Sequence, residues 1–139
     1  MRKVDAGKVA LMPDLVRSVR LRRRGGRGLG RVECVWLRLV AGVYALTGQR
    51  SAALSAYRRL VALQPSNAFA LVALAHLLAE SGDVAGAIAA FRRRLELEPD
   101  GGEINFNLGY LLEKRGELAE AEARFREAVA LQPKLDRAW

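Results

Sequence analysis

A 34-residue period constrains this chain more than any other feature. Pro65, Pro99 and Pro133 are evenly spaced at that interval, and Gly48, Gly82 and Gly116 keep it too. So do Ala53, Ala87 and Ala121, the aromatics Tyr57, Phe91 and Phe125, the small residues Ala41, Ala75 and Gly109, and Leu63, Leu97 and Leu131. Six columns in one register over three copies mean that one supersecondary unit is repeated and must stack on its neighbours to bury its apolar face. Each column has a physical task. A glycine ends a first helix where the backbone turns left-handed, and Ser51 and Asp83 just beyond are good helix N-caps, with Glu117 less suited. The small columns lie where two helices of a hairpin approach closely, and the aromatic column fills the space between hairpins. Proline stops the second helix and sets the turn into the next unit. The pattern predicts helices near 33–47, 51–63, 67–81, 84–97, 102–115 and 118–131.

Composition agrees. Half of the 139 residues are apolar but only 6% are aromatic, and Ala and Leu dominate without an alternating β pattern. The expected fold is all-α, a solenoid of antiparallel helix hairpins. Cys34 is the only cysteine and His76 the only histidine, too few for an intrachain disulfide, a C-x-x-C site or a zinc site. Cys34 is therefore expected as a small buried apolar residue.

These units resemble tetratricopeptide repeats, and the resemblance implies that the solenoid is a right-handed superhelix. The family unit is a 34-residue helix–turn–helix with a large apolar residue at its fourth position, Leu at the seventh and Gly or Ala at the eighth. Ala follows at the twentieth, an aromatic at the twenty-fourth and Pro at the thirty-second. Residues 34–67, 68–101 and 102–135 are three such copies, and NLGYLLEKRGELAEAEARFREAVALQP in the third matches best. Val40 replaces Leu at the seventh position of the first copy, Asn105 holds the fourth position of the third beside Phe106, and Leu60 and Arg94 replace the small residue usual at the twenty-seventh. In LQPKLDRAW, Trp139 falls on the fourth position of a further unit beginning at Asp136, so 136–139 reads as the start of a truncated fourth repeat. The expectation is a longer native repeat protein, a frayed 134–139 segment and self-association at an uncapped 118–131 helix.

The resemblance implies a non-catalytic module that binds a protein or peptide partner in its concave groove. It places the second, fifth, ninth, twelfth and thirteenth positions of each unit there: Val35, Arg38, Gly42, Ala45 and Leu46, then Phe69, Val72, His76, Ala79 and Glu80, then Glu103, Phe106, Tyr110, Glu113 and Lys114, with Asn107 at the edge. Chaperone-binding members clamp a peptide's terminal carboxylate with Lys, Asn and Arg. The matching positions here are Arg38, Gly42, Ala73, Glu103 and Asn107, of which only Arg38 is basic while Glu103 repels a carboxylate. That clamp is absent. No catalytic constellation is expected: Ser81 and Asp83 follow His76 around a helix end without nucleophile–base geometry, and the glycines of RRRGGRGLG lack the G-K-[ST] of a phosphate loop. No cofactor is implied.

The net charge of +8 is uneven. Residues 1–33 hold ten Lys or Arg against three acids, whereas 34–139 hold thirteen against twelve. Residues 1–33 therefore form a basic leader. In MPDLVRSVRLRRR, residues 12–24, Leu15, Val16 and Val19 fall on one side of a possible short helix between Pro13 and Gly25, which could cap the first repeat. Alternatively Arg20, Arg22, Arg23, Arg24 and Arg27 make an anion-binding arm for nucleic acid or an anionic membrane. That role is less favoured, because no aromatic is interleaved for base stacking. The apolar run 32–46 carries Glu33 and Arg38 and is shorter than the ~20 residues of a membrane span. A cytoplasmic protein is expected. A repeat domain of a larger enzyme or assembly is the further alternative.

Overall fold

The computed structural model describes residues 29–131, and all its regular structure is helical. Six helices follow one another: α1 Leu29–Leu46, α2 Arg50–Leu63, α3 Ala68–Glu80, α4 Val84–Leu97, α5 Gly102–Lys114 and α6 Leu118–Leu131. Each packs most extensively on its hairpin partner (α1 on α2, α3 on α4, α5 on α6) and next on the neighbouring hairpin (α2 on α3, α4 on α5). The result is an all-α solenoid. Expectations for residues 1–28, including the short leader helix and its five arginines, and for residues 132–139 with Trp139, lie outside the described residues.

The glycine turns form as expected. Gly48, Gly82 and Gly116 have φ of 75°, 88° and 81°, where a Cβ would be strained. At the first turn the Gln49 amide donates to the Tyr44 carbonyl at 2.9 Å, and Asp83 to Leu78 and Glu117 to Leu112 repeat the bond at 2.9 Å. This closure satisfies carbonyls that the helix end would leave orphaned. The second helix of each hairpin is thereby aimed back along the first.

Two ends differ from expectation. Helix α1 is already formed at Leu29, the first described residue and ahead of residue 33; α3 and α5 start shortly after Pro65 and Pro99. The Arg59 guanidinium of α2 donates to Glu33 and ties this first stretch of α1 to its partner. Ser51 is not a cap. It sits inside α2, whose cap position is Gln49 without a side-chain bond. Asp83 does cap, accepting the Gly86 amide at 2.9 Å, and Asn67 caps α3 by accepting the Ala70 amide at 3.0 Å.

The core follows the repeat columns. Ala41, Ala75, Ala53 and Ala87 are fully buried, and Tyr57 and Phe91 lie with them. Gly109 holds the small-residue column in the third hairpin, where a Cβ would come within 2.9 Å of the Phe125 ring. Cys34 is buried, and burial together with the charge of Glu33 pushes its thiol above the usual range, so it stays protonated. The flaw in the core is Asn105. It is 0% exposed, its Nδ2 has no partner, and its Oδ1 accepts only a long 3.4 Å bond from Arg124. The equivalent slots of the first two hairpins hold the buried side chains of Leu37 and Leu71.

A buried amide nitrogen without a partner costs about 1–3 kcal/mol. Asn105→Leu, which restores the side chain found in the other two copies, is therefore expected to stabilise the protein by about 1–2 kcal/mol. Urea unfolding followed by circular dichroism checks this; a lower midpoint would contradict it.

Candidate peptide-binding face

Helices α1, α3 and α5 each bury one side against a hairpin partner, which leaves the opposite side of each open. On α5 the buried residues include Ile104, Asn105, Leu108, Leu111 and Leu112, while Glu103, Phe106, Tyr110, Glu113 and Lys114 are exposed. Spacings of three, four and three place Glu103, Phe106, Tyr110 and Glu113 on one helical strip. The 34-residue period repeats that strip on α3 through Phe69, Val72, His76, Ala79 and Glu80, and on α1 through Val35, Arg38, Gly42, Ala45 and Leu46.

The side chains on this face are large and open. Phe106 is 57% exposed, and Phe69 and Tyr110 are about half exposed, although all lie within well-packed helices. Val72 and Asn107 are half-buried, whereas Arg38, His76, Glu103 and Lys114 are exposed. Their neighbours hold several of them in place. The Arg38 guanidinium lies 4.6 Å from the Phe69 ring centre, a cation–π contact joining α1 to α3. Burial pushes the Tyr57 phenol up, partly offset by the positive charge of Arg38. The His76 ring meets the edge of buried Phe91 at 5.4 Å. Phe106 meets Phe125 of α6 at 5.5 Å with the rings inclined by 60°, and the Lys114 ammonium sits 4.6 Å over the Tyr110 ring.

The predicted residues thus gather into two groups. Arg38, Phe69 and the nearby Val72 and His76 span the first two hairpins; Phe106, Tyr110, Lys114 and the adjoining Glu103 and Asn107 belong to the third. Among the described residues, Glu103 and Asn107 form no side-chain hydrogen bond or ion pair with the rest of the face. Two contributions escaped the sequence. Phe125 supports Phe106 from behind, and it fits only because Gly109 lacks a Cβ. The Arg38–Phe69 contact joins residues far apart in the chain, though an Arg and a Phe on the inward positions of successive first helices could have suggested it.

Among the described residues, no group of three or more His, Cys, Asp or Glu side chains could hold a metal ion. No helix among them is long and apolar enough to cross a membrane. Ion pairs elsewhere serve packing: Arg92 of α4 bridges Glu120 of α6 at 2.8 Å and links the second and third hairpins along the second helices. If the Arg38–Phe69 contact couples the first two hairpins, a double-mutant cycle of Arg38→Gln and Phe69→Ala, read by urea unfolding, should return a coupling of about 0.5–1 kcal/mol. Strict additivity would contradict the contact.

Comparison with known proteins agrees with this geometry. The family model described as tetratricopeptide repeat matches residues 43–99 and 72–136. Among solved structures, MamA is similar over 75% of this chain at 21% identity with a TM-score of 0.69, and this chain spans 61% of that structure. The TPR2B domain of yeast Sti1, solved in complex with pHsp70, is similar over 76% of this chain and 85% of its own at 19% identity, TM-score 0.66. A Thermobaculum terrenum O-GlcNAc transferase mutant is similar over 78% of this chain but only 21% of its own length, at 26% identity and a TM-score of 0.64. No curated protein matches the sequence. The family model covers more than half of the chain, along the same hairpins that carry the open strip, and the chain belongs to the tetratricopeptide repeat family.

Proposed function

We propose that this is a non-catalytic interaction module that holds a peptide segment of a protein partner along the strip formed by α1, α3 and α5. The observation that carries the reading is the pair Phe106 and Tyr110: two aromatic rings, one helix turn apart on the same side of α5, are left open to water on a rigid helix. Aromatic side chains lose little entropy on binding and bury a large apolar area, so they are favoured anchors at interfaces. Arg38 and Lys114 add positive charge over the rings, and Glu103 and Glu113 add negative charge beside them, which suits a peptide with apolar anchors and mixed polar flanks.

The complex of the Sti1 domain with pHsp70 supports a peptide or protein partner for this fold. Capture by the peptide's terminal carboxylate is a different matter here. Gly42, Ala73 and Glu103 supply no positive donors, so binding rests on internal side chains of the peptide rather than on its end.

Panning a random-peptide display library on the full chain tests this. Selected peptides are expected to carry aromatic or large aliphatic anchors and to bind equally well with an amidated C-terminus. Phe106→Ala with Tyr110→Ala should weaken them at least about tenfold while helicity stays unchanged. Undiminished binding by the double variant would overturn the reading.

A further inference from the structure

Helix α1 is apolar on two opposite sides, and only one of them has a partner. Cys34, Leu37, Ala41 and Tyr44 are buried against the rest of the solenoid. Across the helix, Val32, Val35, Leu39, Val43 and Leu46 are exposed, with Trp36 half-buried at the edge of the stripe. Leu39 alone is 65% exposed. At about 100° per residue these six fall within an arc of about 100°, the width of a helix face made to be covered. The corresponding helices α3 and α5 have no such second apolar side open, since α2 and α4 pack on them.

The repeats show how that side is covered. The short link 64–67 joins α2 to α3, and the link 98–101 joins α4 to α5. The chain ahead of α1 has the same layout. Residues 25–28, Gly-Gly-Arg-Gly, precede Leu29 and follow a stretch that begins with Pro13-Asp14 and ends at Arg24. In helical spacing Leu15, Val16 and Val19 share one side of that stretch with Arg22 and Arg23 at its end nearest the link, and Arg17, Arg20 and Arg24 take the other. Arg31 and Arg38 flank the α1 stripe on one side, while Glu33 on its other side is already paired with Arg59. Like charge disfavours placing Arg17, Arg20 and Arg24 against this stripe.

We propose that residues 14–24 form a helix that folds back over the exposed stripe of α1 and caps the solenoid at its N-terminal end. Equal path lengths from the short link set Val19 beside Val32, Val35 and Trp36, and Leu15 and Val16 beside Trp36 and Leu39. The short tether makes docking intramolecular, at an effective concentration that a second copy of the chain does not match in dilute solution. The segment is a cap and not a further repeat: carried back by one period, the columns that hold Tyr57 and Pro65 fall on Arg23 and Arg31. Arg17, Arg20 and Arg24 then form an outward-facing basic ridge at one end of the molecule. The stripe shares Val35 and Leu46 with the α1, α3 and α5 strip, while Val32, Trp36, Leu39 and Val43 lie to one side of it.

Trp36 and the amides of α1 report on the cap. The chain has two tryptophans, so Trp139→Phe leaves Trp36 as the sole emitter. In that full-length background, Leu15→Glu with Val19→Glu should red-shift Trp36 emission and speed hydrogen exchange across residues 29–46 about tenfold, with α5 and α6 unchanged. Arg17→Ser with Arg24→Ser, on the opposite side, should change neither signal. Unaltered emission and exchange in the Glu variant would overturn the proposal, and so would an increase spread evenly through α5 and α6. Protection of α1 that rises with protein concentration would assign the stripe to a second copy, and protection gained only with anionic vesicles would assign it to lipid; either contradicts the cap.

Discussion

The close approach of two helices within each hairpin is the constraint on which the rest of the structure depends. It requires small residues at matched heights, supplied by Ala41 and Ala53, Ala75 and Ala87, and Gly109 and Ala121. It also requires a tight reversal of the chain, which the left-handed glycines provide. Once the helices are this near, each first helix buries one side completely and its opposite side is left for other purposes. The third hairpin is the extreme case: the Phe125 ring reaches the α5 backbone at Gly109, and from there its edge supports Phe106 on the open face. Packing inside the hairpin thereby fixes the geometry of the residue that contacts the outside.

Stability in such a chain is close to a sum of units and their junctions. Both junctions combine apolar packing with exposed charge. The first two hairpins meet through apolar packing, the Arg38–Phe69 contact and an Arg50–Glu80 ion pair at 3.7 Å, while the second and third are joined by apolar packing and the Arg92–Glu120 bridge along α4 and α6. Exposed ion pairs of that sort contribute about 1 kcal/mol or less, so apolar burial carries the junctions and the charges set register. Asn105 interrupts this at a column where the first two units hold Leu37 and Leu71, and the departure places a polar group where only an apolar one is satisfied.

The periodic part of the fold was legible in the residues because its signals are local. A glycine at positive φ and a proline next to a helix act on their own backbone, so both ends of α4 and the start of α6 fall where the columns place them. The extension of α1 ahead of residue 33 was not legible, since Glu33 reaches a partner, Arg59, that is distant in the chain. Nor was the choice of caps: Ser51 has the right chemistry but falls inside α2, and Asn67 caps α3 instead. On the open face, the 34-residue spacing identified which side chains are exposed, whereas their pairings depend on tertiary neighbours such as Phe125 that share no local pattern with them. The second apolar side of α1 was likewise visible only once the first had been seen to be filled.

The molecule is thus a short solenoid whose structural columns face inward and whose variable residues face out along one strip. The fold hosts many functions, so the case for peptide binding rests on that strip and not on the architecture. Amide chemical-shift mapping on the full chain with a library-selected peptide tests it most directly. The account predicts that the largest shifts cluster at Phe69, Val72, His76, Phe106, Asn107 and Tyr110. Shifts concentrated on the outer sides of α2, α4 and α6, with the strip unmoved, would contradict it.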